Sequence, residues 1–264
     1  MLFFSETTGV PFEVFGPLHL FLLFFVLCGI LLIYCFRKPL RKFKYNNQLR
    51  YIFAGILFTN MTVYYISLAM MGYYDVRKHL PLEFCFITGY LFMYILVTQN
   101  RKLYRVIYFF TIMGPLPAML WPNLSGSYDR FIFYQFFISH HLMMLMSFYT
   151  LIVFQYQVEP KDALHAFGWA VVLFGSVYGI NLTFGTNYIM QSKLPDTVLN
   201  LYPFLRSFDV PIFWLILCGG VCLLFALGIA LLLQDKRKKA QFLTERYYAE
   251  PEKLSAQTVR IYQK

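Results

Sequence analysis

The first 36 residues contain no lysine or arginine, and the run Pro17–Phe36 carries no charge of either sign. The run Val210–Leu233 is equally free of charge. Charged residues make up only 14% of the chain and hydrophobic ones 59%, whereas a soluble domain has about 25% charged. Seven apolar runs and their connectors use up most of the 264 residues, which leaves no room for an independent soluble domain. Cysteine is scarce as well: Cys28, Cys35, Cys85, Cys218 and Cys222 all fall inside apolar runs. With none in the external loops, a disulfide framework is excluded. A cleavable signal peptide is not expected either, because the first apolar run lacks a basic flank before it and is long enough to span. No internal repeat relates two halves, which argues against a transporter of the inverted-repeat type.

What the chain does have is positive charge in a pattern. The first apolar run ends at Arg37, Lys38, Arg41, Lys42, Lys44 and Arg50, and the last at Lys236, Arg237, Lys238 and Lys239. Basic residues beside the end of an apolar helix hold that end in the cytoplasm. Spans are expected at about 17–36, 51–72, 80–98, 103–121, 131–154, 164–187 and 210–233. On that division only Arg77, Lys78, Arg130, Lys193 and Arg206 lie outside, and the other 18 of the 23 basic residues lie inside. The expectation is an all-α polytopic membrane bundle of seven transmembrane helices, N-terminus outside and C-terminus cytoplasmic, multi-pass in the cell membrane. Residues 1–235 form the helical domain and 236–264 a basic cytoplasmic tail. The net charge of +10 then reports topology and anionic lipid contact rather than nucleic acid. Membrane lipids are the expected partners, protein partners and oligomeric state stay open, and no cofactor or metal is expected. Asn123-Leu124-Ser125 is a glycosylation sequon on the external side, of a kind common by chance.

Two spans carry marks of packing or interruption. Gly175 and Gly179 form a small-xxx-small pair that lets another backbone approach the sixth helix. Gly114-Pro115-Leu116-Pro117 breaks or kinks the fourth, since each proline removes a backbone donor.

Function in a membrane helix concentrates where a polar group resists burial. His19 lies near the outer end of the first span, and Glu83 and Cys85 near that of the third. Ser139, His140 and His141 lie in the fifth, Asn181 in the sixth, Asn187 and Tyr188 at its outer end, and Asp209 before the seventh. At 1.5 Å per residue His140 is roughly 14 Å in, within the outer half of a ~30 Å core. His19, Glu83 and Cys85 share that half, so four helices converge on one depth. His140 and His141 are ~100° apart, so one of them can face a given pocket. Cys85 as nucleophile with His140 as base, and Ser139 or Asn187 as oxyanion donors, makes a coherent acyl-transfer site. A water activated with Glu83 is the other route, and an ion pair of Glu83 with Arg77, Lys78 or Arg206 is the structural alternative. Cys28, Cys35, Cys218 and Cys222 read as apolar filler.

The segments Phe15-Gly16-Pro17-Leu18-His19-Leu20, Leu80-Pro81-Leu82-Glu83-Phe84-Cys85, Phe136-Phe137-Ile138-Ser139-His140 and Gly185-Thr186-Asn187-Tyr188 carry a resemblance. In this order they resemble the YwaF-like integral membrane family of bacteria, whose animal branch, the transmembrane protein 164 type, comprises phospholipid acyltransferases. The resemblance covers roughly residues 10–235. It implies a seven-helix fold and acyl chemistry using a cysteine and a histidine, the histidine falling on His140. The animal Asn-Pro-Cys-His pattern puts its cysteine on Leu82 and its histidine on Glu83. The bacterial Leu-Pro-Leu-His-Leu-Cys pattern matches Cys85. The expected function is therefore a lipid acyltransferase or hydrolase with a polar site in the outer half of the bilayer, lined by His19, Ser139, Asn187 and Tyr188. A small-ligand carrier and a non-enzymatic membrane assembly partner are the alternatives.

Overall fold

In the computed structural model, residues 2–5, 9–124, 126–191, 193–194, 196–207 and 211–234 are described. Asp209, the serine of the sequon and the tail 236–264 lie outside the described residues. Among those described there is no strand, and ten α-helices follow in order. They are α1 (Pro17–Cys35), α2 (Arg37–Arg41), α3 (Asn46–Met70), α4 (Phe84–Thr98), α5 (Arg101–Met113), α6 (Pro115–Leu120), α7 (Phe131–Ile152), α8 (Pro160–Phe184), α9 (Asp196–Leu201) and α10 (Pro211–Leu233). Counting α5 with α6 as one, six helices among the described residues are long and apolar enough to cross a membrane, and α4 is a shorter apolar helix of 15 residues. The molecule is a helical membrane protein.

Local chemistry sets the ends. Pro17 and Pro160 occupy first-turn positions of α1 and α8, where a missing N–H costs nothing. Glu159 and Asp162 form a capping box at the start of α8. Gly185 ends that helix at φ 63°, a left-handed position that glycine takes without strain. The span expected from residue 80 becomes helical only at Phe84, because Pro81 and the extended Glu83 hold the preceding segment outside the helix. The break expected at Gly114 is present: α5 stops at Met113 and α6 starts at Pro115. Glycine is required there. A Cβ on Gly114 would lie 2.7 Å from the Phe84 ring and 3.2 Å from Cys85 Sγ.

Contacts fix the helix directions. Asn60 and Asn46 of α3 bond Ser139 and Tyr149 of α7, so the two run antiparallel. Arg50 of α3 reaches Leu96 at the end of α4, while Tyr64 stacks on Phe86 near its start, again antiparallel. α1 runs parallel to α7, with His19 against Phe137 and Leu22 against His141. Tyr108 donates to Ala226 O at 3.0 Å and joins α5 to α10. The core lies along α5 and α7: Tyr104, Tyr108, Phe109, Phe148 and Ile152 are fully enclosed. α1 is the opposite case, with Phe21 and Phe24 61% and 62% exposed, an apolar surface that only lipid or a partner can cover. The face of the small-xxx-small pair is open. A Cβ on Gly175 or Gly179 meets no atom within 4 Å, so no helix of this chain among the described residues uses that face.

Candidate functional site

Three consecutive polar residues of α7 point to three neighbours, since each residue turns ~100° about the axis. Ser139 Oγ accepts from Asn60 Nδ2 of α3 at 2.7 Å and from Gln135 Nε2 at 3.3 Å. His141 faces α1: its Nδ1 lies 2.6 Å from Phe137 O and its Nε2 2.9 Å from Leu22 O. His140 lies between them. Its Nδ1–H donates to Phe136 O at 2.6 Å, and its ring packs on that of Phe136 with centroids 4.1 Å apart. This backbone bond keeps the proton on Nδ1 and leaves a lone pair on Nε2. Nε2 has no hydrogen-bond partner among the described residues, although the residue is 6% exposed. A buried neutral imidazole with one open nitrogen is what a general base requires.

His19 is built differently. Its Nδ1 accepts the Phe15 N–H at 2.8 Å, so Nε2 carries the proton and donates to Met119 O at 2.7 Å. Both nitrogens are engaged, and Phe12, Phe15 and Phe137 surround the ring. It pins the entry of α1 to the end of α6.

Glu83, Asn187 and Tyr188 lie on the connections around α4 and α8. Glu83 precedes α4, and its Oε2 accepts the Ile189 N–H at 3.0 Å. No ion pair joins it to Arg77, Lys78 or Arg206 among the described residues. The Tyr188 hydroxyl donates to Val76 O at 2.6 Å and accepts from Leu80 N at 3.2 Å. Asn187 is exposed and closes its own loop on the backbone of Lys193. The clasp is Asn181, a residue the sequence marks as polar in an apolar helix but gives no role. It donates to Tyr188 O and Gln191 Oε1, and accepts from Tyr188 N and Thr186 Oγ1. Asn181 and Glu83 together hold Ile189 and Met190 at φ 58° and 55°. A β-branched residue in that region is strained, and such strain persists only where neighbours enforce it.

Cys85 is half-buried and its thiol makes no hydrogen bond among the described residues. It packs against the cluster of Leu57, Met61, Met93 and Met143. A Cβ on Gly89, one turn further along α4, would meet Met61 and Met143, and Met61 adjoins the Asn60 that holds Ser139. On α4, Cys85 lies one turn outward of Gly89, ~6 Å by helical rise. No hydrogen bond joins His140 to Cys85 or Glu83 among the described residues.

The family model of the TMEM164 family matches residues 14–232. An uncharacterized protein of Treponema pallidum (strain Nichols) is 25% identical over 151 residues, 56% of this chain and 60% of the relative. The chain thus matches less than two thirds of that relative's length. No solved structure matches.

Proposed function

The chain belongs to the TMEM164 family, and on that premise we propose that it is a membrane-embedded lipid acyltransferase or hydrolase with His140 as general base. One observation carries the reading. Of the three histidines within α1 and α7, His140 alone keeps a ring nitrogen without a hydrogen bond among the described residues. Its lone pair takes the proton of the attacking group, and the Phe136 carbonyl holds the ring as the imidazolium forms. In the thiol route Cys85 is the nucleophile, and its thiol must come within hydrogen-bond reach of His140 Nε2. A water positioned between His140 and Glu83 is the second route, favoured by the absence of any bond from the Cys85 thiol among the described residues. Ser139, His19, Asn187 and Tyr188 shape the surroundings.

In this reading α4 is a seventh crossing, the N-terminus is outside, the C-terminus is cytoplasmic and the membrane is that of the cell. At 15 residues, α4 rises ~22 Å, short of a ~30 Å core, and the segment before it makes up part of the difference. The antiparallel pairing of α3 with α4 supports it. So do the rows of basic residues that follow the first and the last apolar runs in the sequence.

The test is a comparison of membrane lipids between a deletion strain and strains restored with single variants. His140→Ala should leave the lipid profile of the deletion, with the protein still inserted. Cys85→Ser should do so only by the thiol route, and Glu83→Gln only by the water route. Full restoration by all three sinks the enzyme reading and favours a binding or structural role.

A further inference from the structure

At the end of the bundle away from His19 and Glu83, a polar pocket of about 130 Å³ opens among α3, α4, α5 and α7. Asn47, Arg50, Gln99, Arg101, Thr150 and Tyr156 line it. It holds two guanidinium groups and no carboxylate. Arg50 is 8% exposed, and no ion pair reaches it among the described residues. Its N–H groups are largely spent within the protein. Nη1 donates to Leu96 O and Val97 O at 2.6 and 2.7 Å, Nε to Asn47 Oδ1 and Nη2 to the Tyr51 hydroxyl. Arg50 thus closes the C-terminal end of α4 and contributes charge rather than donors. Arg101 is exposed, lies 5.0 Å from the Tyr156 ring centroid, and hydrogen-bonds the Tyr156 hydroxyl with one of its five N–H donors. An uncompensated double charge next to a planar donor fork suits a phosphate oxygen pair.

A second cavity lies on neighbouring residues of the same two helices. An apolar groove of about 530 Å³ runs between α3 and α4, walled by Tyr51, Gly55, Phe58, Tyr90, Tyr94 and Val97. Tyr51 and Val97 are the sequence neighbours of Arg50 and Leu96, which line the polar pocket. The Arg50 guanidinium also sits over the Tyr51 ring at 4.2 Å. Charge and groove therefore share one turn of α3 and one turn of α4. A ligand that fills both has an anionic head and an apolar chain leaving it in a fixed direction.

We propose that α3, α4 and Arg101 form a binding site for an anionic phospholipid, its phosphate in the Arg50–Arg101 pocket and an acyl chain in the α3–α4 groove. The site is separate from His140 and does not depend on the chemistry proposed there. A free phosphate shares the head chemistry but has no use for the groove, and that difference makes the two separable.

Delipidated full-length protein in detergent is titrated with dioleoyl phosphatidylglycerol, dioleoyl phosphatidylcholine or inorganic phosphate, and adducts are counted by native mass spectrometry. Arg50 is a helix cap, so its substitution risks the fold. Arg101→Gln removes the free donors instead. Gly55→Leu fills the groove, since a Cβ at Gly55 meets no atom within 4 Å, and leucine is the better helix former. Phosphatidylglycerol should bind about tenfold more tightly than phosphatidylcholine, and Arg101→Gln should weaken it about tenfold, the worth of one charge-assisted hydrogen bond. Gly55→Leu should weaken it to a similar degree, and millimolar phosphate should leave it bound. Equal binding of the two lipids, or wild-type affinity in Arg101→Gln, would overturn the proposal. So would wild-type lipid binding in Gly55→Leu combined with displacement by phosphate, which would mark a free-anion site.

Discussion

The two ends of the bundle handle polar groups in opposite ways. Around Glu83 and Asn181, polar side chains turn back on the chain: Glu83 takes a backbone N–H, Asn181 makes four hydrogen bonds and the Tyr188 hydroxyl two. Around Arg50, two positive charges share a pocket without a carboxylate in its lining. A buried polar residue therefore does not mark a site by itself. What marks one is capacity left over once the fold has been satisfied: a lone pair on His140, an uncompensated charge at Arg50 and Arg101. Histidines at similar depth make the same point. His19 is a strut because both nitrogens are engaged, and His140 is chemically available because one is not.

If that contrast holds, substitutions at engaged groups cost stability, in proportion to what each leaves orphaned. The largest cost belongs to His19→Ala, which strands the buried Phe15 N–H and Met119 O and opens a cavity. It should lower unfolding free energy by about 3–5 kcal/mol, read from thermal unfolding in detergent. An unchanged melting temperature would mean that the strut is not one. Gly114→Val comes next, because its side chain would overlap Phe84 and Cys85. A loss of about 1–3 kcal/mol is expected, and a neutral result would deny the close approach of α4 to the break. The smallest effect sharpens the role of Glu83. Glu83→Ala removes the acceptor of the Ile189 N–H and should cost about 1–2 kcal/mol, whereas Glu83→Gln keeps a carbonyl oxygen there and should cost less. Equal losses in the two variants would show that charge, not acceptance, is what matters at this position.

Much of the frame is legible in the sequence because its causes are local. Charge-free runs give helices and Gly114-Pro115 interrupts one, whereas the sixth span, expected from residue 164, starts at Pro160. The site is less legible because its bonds are not local. His19 is engaged by a carbonyl 100 residues away. His140 and His141 each bond the carbonyl of a phenylalanine four residues earlier, and only the packing of α1 decides which keeps a free nitrogen. Asn187 reads as a site residue by its place at a helix end, yet Asn181, one and a half turns earlier, faces inward and makes the clasp. The Gly175–Gly179 pair states that a close approach is possible without saying which partner supplies it. Arg50 reads as one of a basic row until α4 ends against it.

The central claim is that availability separates His140 from its neighbours, and it can be measured in vesicles. Purified protein is reconstituted with a phospholipid carrying a labelled acyl chain, and the rate of chain release or transfer is followed. His140→Ala should slow that rate by about 100-fold or more, the usual worth of a general base, while a cooperative thermal unfolding transition shows that the variant is still folded. Undiminished acyl release by His140→Ala would contradict the account.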